Sequence, residues 1–233
     1  MAKQRVTVCL APTEPADLQR AIGAAMAPYH YYREDIPHPD WVGEWDYWYI
    51  SAGGWEFAVL AGHEDDPRIV RDGEDKDEPR PRNRCDGGPK GLLDFDADRA
   101  PAAEDAARRW HEFAAAYPPS LPLGHFWQKA FLDPVGYPER QALEDFGDQP
   151  VIRALRADSE LHDRLGDDPV AVYGDDLAAF VELKTADVLP TWALLTLDGR
   201  WIEGGTHACR RSINAYLDAL PADAMVVRVL YHS

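Results

Sequence analysis

The sequence predicts an α+β fold: an antiparallel sheet in the order β-α-β-β, then a mainly helical insertion, then β-β-α-β. Three observations predict it. Both ends of the chain combine strand-period alternation with amphipathic helical spacing. Two glycine-bearing turn signals, Ser51-Ala52-Gly53-Gly54 and Asp198-Gly199, each interrupt a run of strand-forming residues. Between them, the middle of the chain repeats its apolar residues at helical intervals. The reading is a single α+β domain over residues 1–233, with an exposed loop at 63–97 and the helical insertion at 98–188. Helices gathered on one face of the sheet, with the first and last strands near each other, complete the expected architecture.

Residues 5–10 alternate as a strand. Thr13 offers an N-cap, Pro15 is tolerated in a first turn, and Leu18, Ile22, Ala25 and Met26 recur at helical spacing until Pro28. Residues 45–50 and 55–61 flank the paired glycines and read as a β-hairpin, since glycine adopts positive φ without steric cost. From His63 to Lys90 the apolar period is lost among Asp, Glu, Arg, Pro and Gly, which reads as a long loop. Ala102–Tyr117 is a helix with Ala106, Trp110, Phe113 and Ala114 on one face, stopped by Pro118-Pro119. Pro138–Phe146, Val151–Leu165 and Asp175–Leu183 follow as helices. Thr191–Leu197 and Arg200–Glu203 form a second hairpin around Asp198-Gly199. Thr206–Leu220 is a helix carrying Ile213, Tyr216, Leu217 and Leu220, and Met225–Tyr231 is a closing strand.

Composition narrows the function classes. The 233 residues hold 24 Lys+Arg against 41 Asp+Glu, a formal charge of −17, with 45% hydrophobic and 11% aromatic residues. That apolar content excludes a disordered chain, and the acidity disfavours direct binding to nucleic acid or to an anionic membrane. No stretch reaches the roughly 18 continuous apolar residues of a membrane span. The N-terminal apolar run stops at Pro12, too soon for a signal sequence. Cys9, Cys85 and Cys209 are three in number and far apart, which points to a reducing, cytoplasmic setting. The acids concentrate centrally, 14 against 8 bases over residues 63–105 and 12 against 5 over residues 140–187.

The densest chemical feature is Trp41, Trp45, Tyr47, Trp48, Tyr49 and Trp55. In a strand Trp45, Tyr47 and Tyr49 share one face, and Asp46, Trp48 and Ile50 the other. Rings on both faces call for double-sided burial or for a stacking platform. Trp45, Trp48, Tyr49 and Trp55 are the candidate ligand-binding residues. A carboxylate among rings must be paired or change its protonation, so Asp46 is a candidate proton-transfer group, with His232 of the closing strand as its candidate base.

Metal ligands are sought among His30, His38, Asp40, Glu44, His63-Glu64-Asp65-Asp66 and His207-x-Cys209, none at a diagnostic spacing. Asp94-x-Asp96-x-Asp98 resembles the start of a calcium loop, but Arg99 and Asp105 stand where that loop needs Gly and Glu. No metal site is assigned, no motif names a cofactor, and no oligomeric state is read. Phosphate-loop, dinucleotide and nucleophile-elbow patterns are absent from the sequence. Cys9 reads as a small buried hydrophobe. Cys209, beside His207, Arg210 and Arg211, has the better setting for a reactive thiol, although a structural thiol explains it as well.

Trp45-Asp46-Tyr47-Trp48-Tyr49-Ile50 followed by Gly53-Gly54-Trp55 resembles the Trp-Asp-Trp-Tyr-x-Ile-Gly-Gly-Arg-Trp signature of a family of uncharacterised proteins from actinobacteria and their phages. Asp198-Gly199-Arg200-Trp201, Leu220-Pro221, the closing strand ending in Tyr231-His232, and Ala27-Pro28-Tyr29 are similar to the same family. The turn here is one residue longer and has no Arg before Trp55. The resemblance implies a fold neighbourhood and an actinobacterial or phage context, and no activity.

Two function classes follow. The first is a soluble small-molecule-binding protein or enzyme with its site at the aromatic hairpin 41–55. The second is an acidic interaction or anti-defence protein imitating nucleic-acid charge, for which the acids should line one face largely free of interleaved bases.

Overall fold

In the computed structural model, residues 3–32, 43–72, 80–174 and 176–232 are described. Trp41, His38 and Asp40 lie outside them, as does Asp175. The chain divides into two compact units, Met1–Ala100 with Ala186–Ser233, and Pro101–Thr185.

The first unit is organised around its last strand. Strands β1 (Lys3–Leu10), β2 (Tyr47–Ile50), β3 (Phe57–Ala58), β4 (Arg84–Cys85), β5 (Gly87–Pro89), β6 (Ala193–Leu195), β7 (Trp201–Glu203) and β8 (Met225–His232) belong to it. One sheet runs in the order β2-β8-β1-β6-β7. The first and last strands pair antiparallel over their whole length, from Lys3 with His232 to Leu10 with Met225. The other edge of β8 is shared: Tyr47–Ile50 pair with its end and Gly87–Pro89 with its start. β1 and β6 run parallel, so the sheet is mixed where the sequence suggested an antiparallel one.

Helices α1 (Leu18–Met26) and α9 (His207–Ala219) lie on opposite faces of this sheet, not together on one. On one face Leu18, Ile22 and Met26 of α1 pack with Val6, Val8, Leu195, Val227 and Tyr231. On the other, Ile213 and Leu217 of α9 pack with Cys9, Leu194, Val226 and Phe57. The split follows from strand direction. The β1-α1-β2 and β7-α9-β8 crossovers move the same way along the sheet between oppositely directed strands. Right-handed connections then place their helices on opposite faces. Each large apolar side chain on these helices contributes about 1.5–3 kcal/mol by burial.

Several local expectations are corrected. Thr13 does not cap a helix; its hydroxyl donates to the Ala11 carbonyl, Pro15–Asp17 form a 3-10 turn, and α1 begins at Leu18. The aromatic segment is not a hairpin. Gly53 and Gly54 do take positive φ, 53° and 87°, but the chain then leaves the sheet and β3 pairs with β4. Side chains capture the turn's backbone groups in place of a ladder: Asp86 accepts from the Ala52 amide at 2.6 Å, and Arg5 donates to the Ala52 and Gly53 carbonyls at 3.0 and 2.5 Å. The 63–97 segment is not an exposed loop throughout, since Ile69, Cys85, Asp86, Leu92, Leu93 and Phe95 are buried. The Asp198-Gly199 hairpin forms as read, with Leu195 opposite Trp201. The Thr206 hydroxyl accepts from the Cys209 amide as the N-cap of α9.

Helix α2 (Phe95–Ala116) starts seven residues before the expected Ala102, and the unit boundary falls inside it at Ala100–Pro101. The second unit carries α3 (Leu123–Leu132), α4 (Glu139–Gly147), α5 (Pro150–Ala157), α6 (Ser159–Leu165), α7 (Pro169–Tyr173) and α8 (Leu177–Thr185). Its core gathers Phe126, Tyr137, Phe146, Val151, Ile152 and Leu155. The expected helix Val151–Leu165 is two helices, because the Asp158 carboxylate accepts from the Glu160 and Leu161 amides and opens a new one. Among the described residues, no helix is long and apolar enough to cross a membrane.

Candidate functional site

The two residues singled out for proton transfer meet. Asp46 sits in a bend just before β2, its amide donates to the His232 carbonyl, and its carboxylate lies 2.7 Å from His232 Nδ1. A carboxylate only accepts, so Nδ1 carries the hydrogen in this pair and Nε2 is the nitrogen that can take up a proton. Both side chains are partly open to solvent.

Register places this pair on a chemically marked face. Tyr47, His232 and Lys3 stand side by side across β2, β8 and β1, and Tyr49, Leu230 and Arg5 form the next row. Directly opposed residues point to the same side of a sheet. The Lys3 ammonium lies 3.4 Å from the Tyr49 hydroxyl, and the Arg5 guanidinium 5.6 Å from the Trp55 ring centroid.

The candidate aromatic residues divide between the faces. Trp45 is buried and donates its Nε1–H to the Met26 carbonyl, and Trp48 packs in the same α1-side core. Trp45 thus joins Trp48 and not Tyr47 and Tyr49, because the strand begins only at Tyr47 and its two-residue period does not extend to residue 45. Burial withdraws Trp45 from the candidate ligand-binding set. Tyr49 stands on the opposite face, and Trp55, 44% exposed, projects from the turn.

Trp55 forms one wall of a cleft of about 550 Å³ in the first unit. Lys3 and Arg5 of β1 line it together with Thr191, Trp192 and Arg210. Trp192 is 54% exposed. Arg228 is 2% exposed and donates to the carbonyls of Trp55 and, at 3.0 Å, Leu189, so one buried guanidinium ties the backbone at Trp55 to the segment that leads into Pro190–Trp192 of the lining. Burial lowers its pKa to about 10, which leaves it charged at neutral pH. In comparison with known proteins, no family, no curated protein and no solved structure matches this chain.

Sequence reasoning missed Lys3, Arg5, Trp192 and Arg210 as site residues. Lys3 and Arg5 carried a signal: they continue the polar face of the first strand, opposite Val6 and Val8. Trp192 and Arg210 come from distant segments and carried none. The metal candidates disperse. Asp94 caps the start of α2 by accepting from the Ala97 amide, Asp98 binds Arg84 and the Ala58 amide, and Asp65 and Asp66 pair with Arg82 and Arg68. Among the described residues no three His, Cys, Asp or Glu side chains converge as a metal site. Cys9 and Cys85 are buried, and burial pushes both thiols up to about 12.

Glu44 is a separate electrostatic feature. Burial, with repulsion from Glu203 added, raises its carboxyl above the ordinary value. An acid with a raised folded-state pKa favours the folded protein in its protonated form, so its ionisation costs stability as pH rises through that range. Glu44→Gln is therefore expected to raise the melting temperature at pH 7, on the order of 1 °C for a partly buried group. The difference should vanish as pH falls below the ordinary carboxylate value, and a gain that persists in acid would contradict the assignment.

Proposed function

We propose that the sheet-bearing unit binds a small molecule in the cleft beside the aromatic turn. The observation that carries this reading is the cleft itself: about 550 Å³, walled by two half-exposed tryptophans from separate segments whose backbones are fixed by one buried arginine. Its volume lies within the range of small-molecule sites, and exposed indoles in its lining are a stacking surface for a planar ligand. The Asp46–His232 pair lies on the same sheet face as Lys3 and is the group at hand for proton exchange with a ligand reaching past it. The actinobacterial or phage resemblance adds a context and no chemistry.

The charge-imitation reading draws less support. Many of the carboxylates are paired with arginines, as in Asp66–Arg68, Asp98–Arg84, Asp105–Arg108, Asp148–Arg153 and Asp198–Arg200. Paired acids do not present a bare array of negative charge.

The test is a thermal-shift screen against nucleotides, sugars, aromatic acids and cationic metabolites, repeated on Trp192→Ala and Trp55→Ala. A ligand at about 100 times its Kd stabilises by about 2.7 kcal/mol, a shift of several degrees. Both variants should lose it, while Asp46→Asn should keep it. A wild-type protein that no compound stabilises, or variants that respond as the wild type does, would refute the cleft as the site.

A further inference from the structure

The cleft lining carries more basic than acidic groups, Lys3, Arg5 and Arg210 against Asp187. In a chain with 41 acidic side chains against 24 basic ones, the basic groups are commonly matched by carboxylates. Arg210 follows that pattern, with Nη1 2.8 Å from Asp187. Among the described residues, Lys3 and Arg5 have no carboxylate partner. Among the described residues Lys3 faces the Tyr49 hydroxyl and ring, and Arg5 faces two peptide carbonyls and the Trp55 ring. Neutral acceptors orient a cation without cancelling its charge, so two positive charges remain in the lining of the cleft. The rim adds to them. Gly205 and Arg210 bring the first turn of α9 to the cleft, and the amide end of a helix favours negative charge.

We infer that the ligand is a ring-bearing oxyanion of mononucleotide size, with its planar ring against Trp55 and Trp192 and its phosphate on Lys3 and Arg5. This rests on the cleft reading and specifies its ligand class. Two cations and two indoles in one cleft lining match one phosphate and one ring, and the acidic remainder of the surface repels a long polyanion. The discrimination is thus for a free mononucleotide over a nucleic-acid strand.

The experiment is titration of the full chain with AMP, GMP, CMP and UMP, followed by tryptophan fluorescence and calorimetry. Adenosine and inorganic phosphate serve as the two half-ligands. At least one monophosphate should bind, and adenosine should bind at least about tenfold more weakly than AMP, the scale of one charged hydrogen bond. Lys3→Glu, at an exposed position, should weaken the monophosphates about tenfold or more and leave adenosine unchanged. Trp192→Ala should weaken both. Equal affinity for AMP and adenosine, indifference of AMP to Lys3→Glu, or no binding of any monophosphate would each overturn the oxyanion assignment. Neutral compounds that stabilise the wild type but not Trp192→Ala would then show that the cleft still binds ligands and that only this class was wrong.

Discussion

Arg228→Met is expected to destabilise the protein by about 2–4 kcal/mol, seen as a lower urea midpoint at unchanged slope and a melting temperature lower by roughly 5–15 °C. Arg228 donates to the Trp55 and Leu189 carbonyls, with its guanidinium 4.0 Å from the Phe57 ring centroid. Methionine keeps the apolar stem but ends where the guanidinium begins and donates nothing, so two carbonyls lose their partner. Removing a buried charge returns part of that cost, which is why the expected loss sits below the simple sum of two unpaired groups. Ligand binding should fall as well, because the lost bonds anchor both walls of the cleft. A variant within about 0.5 kcal/mol of the wild type would show that the guanidinium costs as much to bury as its bonds return.

The second large effect is expected at Gly87. There the backbone of β5 passes so close to β8 that a Cβ would collide with the Val226 carbonyl oxygen and lie 2.7 Å from Val227 Cα. Backbone cannot rotate aside as a side chain can, so alanine must separate the strands. That breaks the pairing of Gly87 with Val227 and strains the bonds from the Val70 amide to Gly87 and from the Arg228 amide to Asp86. Gly87→Ala should cost about 3 kcal/mol or more. Gly88→Ala is the internal comparison: its nearest obstacle is the Ile69 Cδ1 methyl at 3.0 Å, which can move. It should cost clearly less, and equal costs for the two would refute the backbone argument.

Much of the fold was legible because local patterns carried it. The period of Val6 and Val8, the Leu18–Ile22–Met26 spacing and the Asp198-Gly199 turn each specify an element without help from elsewhere. What was not legible depended on distant partners. Phe57 leaves the aromatic segment because β8 takes the edge of β2 and Asp86, 34 residues from Ala52, takes the turn amide. Residues 85–95 looked solvated because their glycines and charges hide a buried path along β8, where the buried Asp86 bonds to the Ala52 amide and pairs with Arg80. The Asp46–His232 pair was legible as two suspicious residues, because one ended a strand and the other stood among tryptophans. The cleft was not, since its walls are 137 residues apart in sequence, from Trp55 to Trp192.

Strand β8 gives the molecule a timetable as well as a centre. β1, β2 and β5 all pair with it, so three segments made early in synthesis wait for residues 225–232 before their edges close. At about 5–20 residues per second, the delay between the first strand and the last is on the order of ten seconds or more. The helices of Pro101–Thr185 draw on a contiguous stretch and can form inside that interval, whereas the sheet must close at a large sequence separation, the slow kind of folding step. During the wait, β1 and β2 present open edges to any strand they meet. The nascent chain is therefore most vulnerable to mispairing before β8 emerges, and the cleft, which depends on Arg228 in that strand, forms only after β8 is made.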